Sequence, residues 1–209
     1  AGDRHVGFPI RMQRFQNTGQ PDWDWWGKLW PTPGATLREL GVAVDESAAE
    51  VGCGNGYFAL PAARIIDPEP VYALDLDDEM LAELEQLADQ QNIDNVVPLH
   101  GDARDLASVL PSRVDTILIA NTFHGVDDQR GLVAQVRDAL KPEGTFIVIN
   151  WQNRPRETTT VADEPRGPPT ELRIPPEEVA DTILSVSEFG SVREIDLPPY
   201  HYALVFEQE

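Results

Sequence analysis

The run AEVGCGNGYF, residues 49–58, places three glycines at alternate positions, Gly52, Gly54 and Gly56, just after a small apolar segment. Glycines so spaced let a strand-to-helix turn tighten and bring backbone close to a ligand, as turns that cradle nucleotide-like cofactors do. A dinucleotide fingerprint would put its third glycine at position 57, where this chain has Tyr57. An acid, Glu50, also precedes the first glycine by two residues. A carboxylate there repels a pyrophosphate and suits a cationic or amino-bearing ligand. The turn leans away from nicotinamide dinucleotides, with a nicotinamide-dependent oxidoreductase kept as the alternative.

Two further acids fall where a cofactor needs them. Asp75 ends an apolar run 19 residues after Gly56, the place from which an acid accepts hydrogen bonds from ribose hydroxyls. Asp77 or Asp78 can cap the helix that follows, which leaves Asp75 free for function. GDARDL supplies Asp102 and Ala103 after a third apolar run, where a side chain meets an adenine edge or simply closes a turn.

The elements that must hold these residues are legible as alternating patterns. SAAEVG (47–52), VYALDL (71–76), VVPLHGD (96–102), TILIAN (116–121) and TFIVINW (145–151) read as strands. Helical patterns lie between them: TLRELGV, YFALPAARII, DDEMLAELEQLADQQ and DDQRGLVAQVRDALKPEG (127–144). Strands separated by helices pair in parallel with right-handed crossovers. PPEEVADTILSVSEFG (175–190) reads as a last helix, followed by strands at 191–197 and 200–206 joined only through Pro198 and Pro199. So short a link permits antiparallel pairing alone, which predicts a terminal hairpin on an otherwise parallel, doubly wound α/β sheet. Residues 152–174 carry no periodicity and leave the carboxyl end of the fifth strand, the ligand side of such sheets.

At 209 residues the chain fits one domain with a sizeable core. No apolar run approaches a membrane span and the first twenty residues lack a signal-peptide core, so a soluble cytoplasmic protein is expected. One cysteine, Cys53, forbids an internal disulfide and any multi-cysteine metal site; no metal is expected. Net charge is −20, from 36 acids against 16 bases, and only Lys28 and Lys141 are lysines. Such an acidic, lysine-poor coat resembles proteins of salt-loving cells, where molar salt screens charge within about 3 Å. Nucleic acid is not expected as a partner.

In the order of its motifs the sequence resembles the class I S-adenosylmethionine-dependent methyltransferases, from about residue 30 to the end. EVGCGNG is similar to the family's acidic-x-Gly-x-Gly-x-Gly loop around the methionine part of the cofactor, which implies Glu50, Gly52, Cys53, Gly54 and Gly56. LDLDDEML is similar to the ribose segment, giving Asp75 with Leu76 beside the adenine; GDARDL gives Asp102 and Ala103. DTILIANTFHGVDD matches the strand-four segment and implies Asn121 at the pocket floor. LKPEGTFIVINW resembles the Leu-Lys-Pro-Gly-Gly approach to strand five, with Glu143 in place of a glycine, a change expected to be harmless at a turn. The hairpin corresponds to a seventh strand inserted beside the fifth. The resemblance implies a seven-stranded Rossmann-like sheet over residues 36–209, with 1–35 an aromatic extension or lid and 152–174 a substrate-side loop.

Two departures narrow the chemistry. Strand four lacks the Asn/Asp-Pro-Pro-Tyr signature of amino methylation, and the cysteine set of arsenic methyltransferases is missing. Phe123-His124, Asn150-Trp151 and Gly167-Pro168-Pro169 are similar to small prokaryotic methyltransferases of unassigned substrate. The resemblance implies methyl transfer to a small-molecule acceptor by in-line displacement, in a monomer or homodimer; a non-catalytic cofactor-binding protein is the other alternative. His124, in the loop after strand four, is the candidate base, against the plainer reading of a loop histidine bonded to backbone. Trp30, Trp151, Arg173 and Tyr200 are candidates for the acceptor pocket, with His201 beside them and Arg166 and Arg173 able to bind an anion. PDWDWWGKLWP holds four of five tryptophans; Trp23, Trp26 and Trp30 form a helical stripe that either staples a helix to the domain or covers the cofactor.

Overall fold

The computed structural model of the chain describes residues 14–186 and 188–209. In chain order its elements are α1 (Trp23–Leu29), α2 (Pro33–Glu39), β1 (Ala48–Val51), α3 (Ala59–Ile66), β2 (Val71–Asp75), α4 (Asp78–Gln91), β3 (Val96–His100), α5 (Leu106–Val109), β4 (Val114–Ala120), α6 (Gln129–Ala139), β5 (Leu140–Trp151), β6 (Thr160–Val161), β7 (Glu164–Pro165), α7 (Pro176–Leu184), β8 (Phe189–Leu197) and β9 (His201–Gln208). Seven strands form one sheet in the order β3-β2-β1-β4-β5-β9-β8. The first five in that order are parallel, and β9 runs antiparallel to both β5 and β8. The strand order reverses between β1 and β4, so a ligand crevice opens at the carboxyl ends of those two strands.

The two faces of the sheet carry separate apolar clusters. One gathers Leu37, Ala63, Leu84 and Ile147; the other gathers Leu106, Val133, Phe146 and Phe206. β1 is buried at all four positions, which carries Glu50 into the interior along with its alanine and valine neighbours. Caps fix the helices nearest the crevice. The Asp77 carboxylate accepts from the amides of Glu79 and Met80 at the start of α4, and Asp128 accepts from Gly131 at the start of α6.

Several boundaries differ from the sequence expectation. The helix expected from 127 to a stop at Lys-Pro-Glu-Gly spans Gln129–Ala139, and β5 begins at Leu140, so it takes in the Lys-Pro-Glu-Gly segment rather than starting at Thr145. There Glu143 takes φ 63, a left-handed backbone in which glycine would be relaxed. The last helix stops at Leu184, because β8 takes over the chain from Phe189. Residues 152–174, expected without structure, hold a two-stranded ribbon, β6 with β7. Its turn places Ala162 and Asp163 at φ 53 and 63, the sign a type I′ hairpin requires. In α1 the Asp22 side chain makes no capping bond. Trp26, Leu29 and Trp30 join the same cluster as Leu37, Phe58 and Trp151, so the aromatic segment is packed into the domain. Residues 1–13 of the expected extension lie outside the described residues. Among the described residues no helix is long and apolar enough to cross a membrane.

Candidate functional site

The glycine turn is built by hydrogen bonds to the neighbouring strand. The amides of Gly52 and Cys53 both donate to the Leu74 carbonyl, at 2.9 and 3.0 Å. Gly54 donates to Asp75 Oδ2 at 2.8 Å, and Asp77 donates to Asp75 Oδ1 at 2.9 Å. Asp75 is thereby oriented by two amides while each oxygen keeps a lone pair for a ligand hydroxyl. Gly52 and Gly54 sit at φ 70 and 55; a Cβ on the first would come within 3.0 Å of Thr122 Oγ1, and one on the second would run into the Gln20 amide. Gly56 behaves differently. Its missing Cβ leaves room for Leu60 and Leu84, each 3.1 Å away, so it lets α3 and α4 pack closely.

A cavity of about 280 Å³ opens above the turn. Glu50, Gly52, Cys53, Gly54, Asp75 and Asn121 form one wall. A smaller cavity of about 40 Å³ adjoins it, shares Gly52 and Asp75, and adds Leu76, Asp102, Ala103 and Phe15. Asp102 serves the turn as well: its Oδ1 accepts from the Arg104 amide at 2.9 Å and from the guanidinium at 3.2 Å.

Two groups of this wall want partners. Glu50 is 4% exposed and its Oε2 is buried without one. Burial, then the charge of Asp75, holds its carboxyl well above the usual range, against a backbone hydrogen bond from Ala59. Asn121 takes φ 57 and buries both Oδ1 and Nδ2 unpartnered. Strain and orphaned polar atoms at a strand's carboxyl end are what a ligand site accumulates. Burial and the charges of Glu50 and Asp75 push the Cys53 thiol well up, which favours its protonated form. A ligand with an ammonium group for Glu50, polar groups for Asn121, hydroxyls for Asp75 and a flat base between Leu76 and Ala103 fits this wall. S-adenosylmethionine has those parts in that order.

His124 also lines the cavity and is 8% exposed. Its Nε2 lies 3.1 Å from the Asn17 carbonyl; because a carbonyl only accepts, Nε2 carries the hydrogen. Burial and then Arg173 pull the imidazole below its ordinary pKa, with Asn17 opposing. The neutral ring therefore presents Nδ1 as a lone pair, and Nδ1 is buried with no partner.

Of the four acceptor-pocket candidates only Trp151 lines the cavity. Trp30 is buried against Phe58 and His201, with ring centroids 5.2 and 4.6 Å away, because it ends α1 facing the core. Trp25 and Trp26 reach the cavity instead. Tyr200 turns its hydroxyl to the Thr160 carbonyl at 2.9 Å. Arg173 is 5% exposed and ties the loop together through the Pro168 and Arg166 carbonyls and Thr159 Oγ1. His201 is wholly enclosed by rings, and burial lowers its pKa to about 3.

Segment 14–21 was placed by the sequence reading within the 1–35 extension or lid and was given no contacts of its own. It straps across the crevice: Gln16 donates to the Gly125 carbonyl at 3.1 Å, Gln20 accepts from the Asn55 amide at 3.3 Å, and Arg14 pairs with Asp77 at 2.6 Å. RFQNTGQP has neither period nor motif to announce this. Arg156 was missed likewise.

Residues 48–144 match the family model described as a methyltransferase domain. Demethylmenaquinone methyltransferase of Geobacillus kaustophilus is 27% identical over 114 residues, 54% of this chain and 48% of that protein. The chain thus spans about half the length of the curated relatives it matches. Among solved structures, an S-adenosylmethionine-dependent methyltransferase from Aquifex aeolicus superposes with TM-score 0.72 at 22% identity, covering 85% of this chain and 89% of that one. The complex of DhpI with SAH gives TM-score 0.66 at 20% identity, covering 88% and 86%. These structural likenesses establish the fold. The matched segment, 48–144, is similar to a methyltransferase domain and carries the glycine turn, Asp75, Asp102 and Asn121.

Proposed function

We propose that the chain transfers a methyl group from S-adenosylmethionine to a small-molecule acceptor. The observation that carries this reading is one cavity lined by Glu50, Gly54, Asp75 and Asn121 together with His124, whose Nδ1 is buried without a partner. When bound, the sulfonium supplies an already activated methyl carbon. The protein's part is alignment, exclusion of water and, for a protonated acceptor, removal of one proton. Glu50 holds the cationic end, Asp75 the ribose, and Asn121 a polar group near the strand end. The strap and the aromatic side of α1 close the crevice over them. His124, neutral with its hydrogen fixed on Nε2, takes the acceptor proton on Nδ1. The acidic, lysine-poor coat suits work in concentrated salt.

Titration calorimetry in molar salt tests the reading, with S-adenosylhomocysteine and NAD as separate ligands. Binding of the first at micromolar Kd and none of the second is expected. Tight NAD binding without the first overturns it.

A further inference from the structure

Loop 152–174 carries four arginines and four acids, and the fold sorts them by sign. Glu157, Asp163, Glu164 and Glu171 are exposed, while Arg154, Arg156 and Arg166 are half-buried and Arg173 is buried. In a chain of net charge −20, this gathers positive charge at one mouth of the cavity. Turning guanidiniums inward costs desolvation unless anions meet them. Among the described residues none of these four arginines pairs with a carboxylate. Arg154, Arg156 and Arg173 bond to carbonyls and hydroxyls of their own loop, and two donors are left over: Arg173 Nη1 and Arg166 Nε are buried without partners. Burial and the nearby charges of Arg156 and Arg154 bring Arg173 down to about 10.

The surroundings of this charge are flat and apolar. Arg156 and Arg166 line the cavity beside Trp25, Trp26 and Trp151. The Arg166 guanidinium lies 4.8 Å from the Trp25 ring centre, and that of Arg173 lies 5.2 Å from Trp151. Gly167 keeps the Trp151 ring clear, since a Cβ there would sit 2.8 Å from its Cδ2 and Cε2. Tryptophan faces edged by guanidinium forks match a planar ring that ends in a carboxylate.

We infer that the acceptor is a planar aromatic carboxylate, its ring against Trp25 and Trp151 and its carboxylate on Arg166 and Arg156. This rests on the methyl-transfer reading for the term acceptor; the anion site itself is defined by the loop. Binding is tested with 4-hydroxybenzoate and 4-hydroxybenzamide, which share a ring and a hydroxyl and differ in charge. Both are titrated into the full chain with and without S-adenosylhomocysteine, followed by tryptophan fluorescence and calorimetry. The carboxylate is expected to bind about tenfold tighter than the amide, the scale of one charge-assisted contact. Arg166→Gln should reduce that preference to threefold or less, with Arg166→Lys between the two. Arg166 suits the test because its side chain makes no hydrogen bond among the described residues, while its backbone bonds to Thr159 and Arg173 survive substitution. Absence of a carboxylate preference, whether both probes bind or neither does, overturns the inference, as does a preference that Arg166→Gln leaves intact. Failure of S-adenosylhomocysteine to bind ends the methyl-transfer reading and leaves a carboxylate preference standing as evidence for the anion site.

Discussion

Glu50 and His124 are both buried and both lack one hydrogen bond, but the missing partner has opposite consequences. The Glu50 carboxylate must ionise in a dry wall beside Asp75. Its folded pKa lies above the unfolded one, so its favourable contribution is complete below the unfolded pKa and is lost as pH rises through the folded value. Glu50→Gln keeps the shape and removes the charge. It should stabilise the ligand-free protein at pH 8 by about 1–3 kcal/mol in urea melts, with no gain near pH 4. The same change should weaken S-adenosylmethionine binding about tenfold, one ion-pair's worth. A variant that loses stability at pH 8 would remove Glu50 from the role of an uncompensated charge. For His124 the folded pKa lies below the ordinary value, so the neutral base persists to lower pH. The acid limb of kcat should fall below pH 6.5 for a protonated acceptor. His124→Gln, which keeps an N–H for the Asn17 carbonyl, should cost about 10²–10⁴ in kcat and leave S-adenosylhomocysteine affinity unchanged. An unchanged kcat would take His124 out of the chemistry.

Between residue and molecule stands the strap, which touches both β4's exit loop and the glycine turn. Its seating depends on Gly125, since a Cβ there would collide with the Gln16 carbonyl. Backbone cannot yield as a side-chain end can, so Gly125→Ala should unseat 14–21 and leave the buried sheet intact. The expected outcome is S-adenosylhomocysteine affinity lower by about tenfold, the cost of a few kT when a closing segment is lost. Limited proteolysis should also cut sooner within 14–21, with the melting midpoint little changed; resistance equal to wild type would mean that the strap tolerates the methyl. The strap also marks the limit of what the sequence disclosed. β1, β2 and β4 were legible because apolar runs bounded by glycine and aspartate have few other fates, and the two-proline link dictated the antiparallel β9. That Glu50, Asp75 and His124 would meet at one cavity was legible because their distance from strand ends is a matter of spacing. Trp30 and Arg173 lie away from the expected pocket because a helix's C-cap and a loop's buried tie take their direction from tertiary packing, which no local period encodes. The packing of Gly56 was hidden for the same reason: Leu84, which fills its space, lies 28 residues further on.

Across the whole molecule the governing quantity is charge. Helix α4 shows it locally: Asp78, Glu79, Glu83, Glu85 and Asp89 are all exposed on a helix with no basic residue. Glu79 and Glu83, and Glu85 and Asp89, stand four apart, where like charges repel across one turn. With a net charge of −20, such repulsions add over the surface, and the screening length falls from about 10 Å at 0.1 M salt to about 3 Å at 1 M. The melting temperature should therefore rise between 0.1 and 2 M KCl. Salt also strengthens apolar burial in general, so a rise alone does not identify repulsion as its cause. Asp89→Lys separates the two. It turns the Glu85 contact from repulsive to attractive, in the favoured order with the acid nearer the N-terminus, and puts a cation in the last turn. The variant should gain about 0.5–1 kcal/mol over wild type at 0.1 M, and most of that gain should vanish at 2 M, where the repulsion it relieves is already screened. A gain equal at both salt concentrations would assign it to helix propensity, and the salt response of the parent chain to apolar burial.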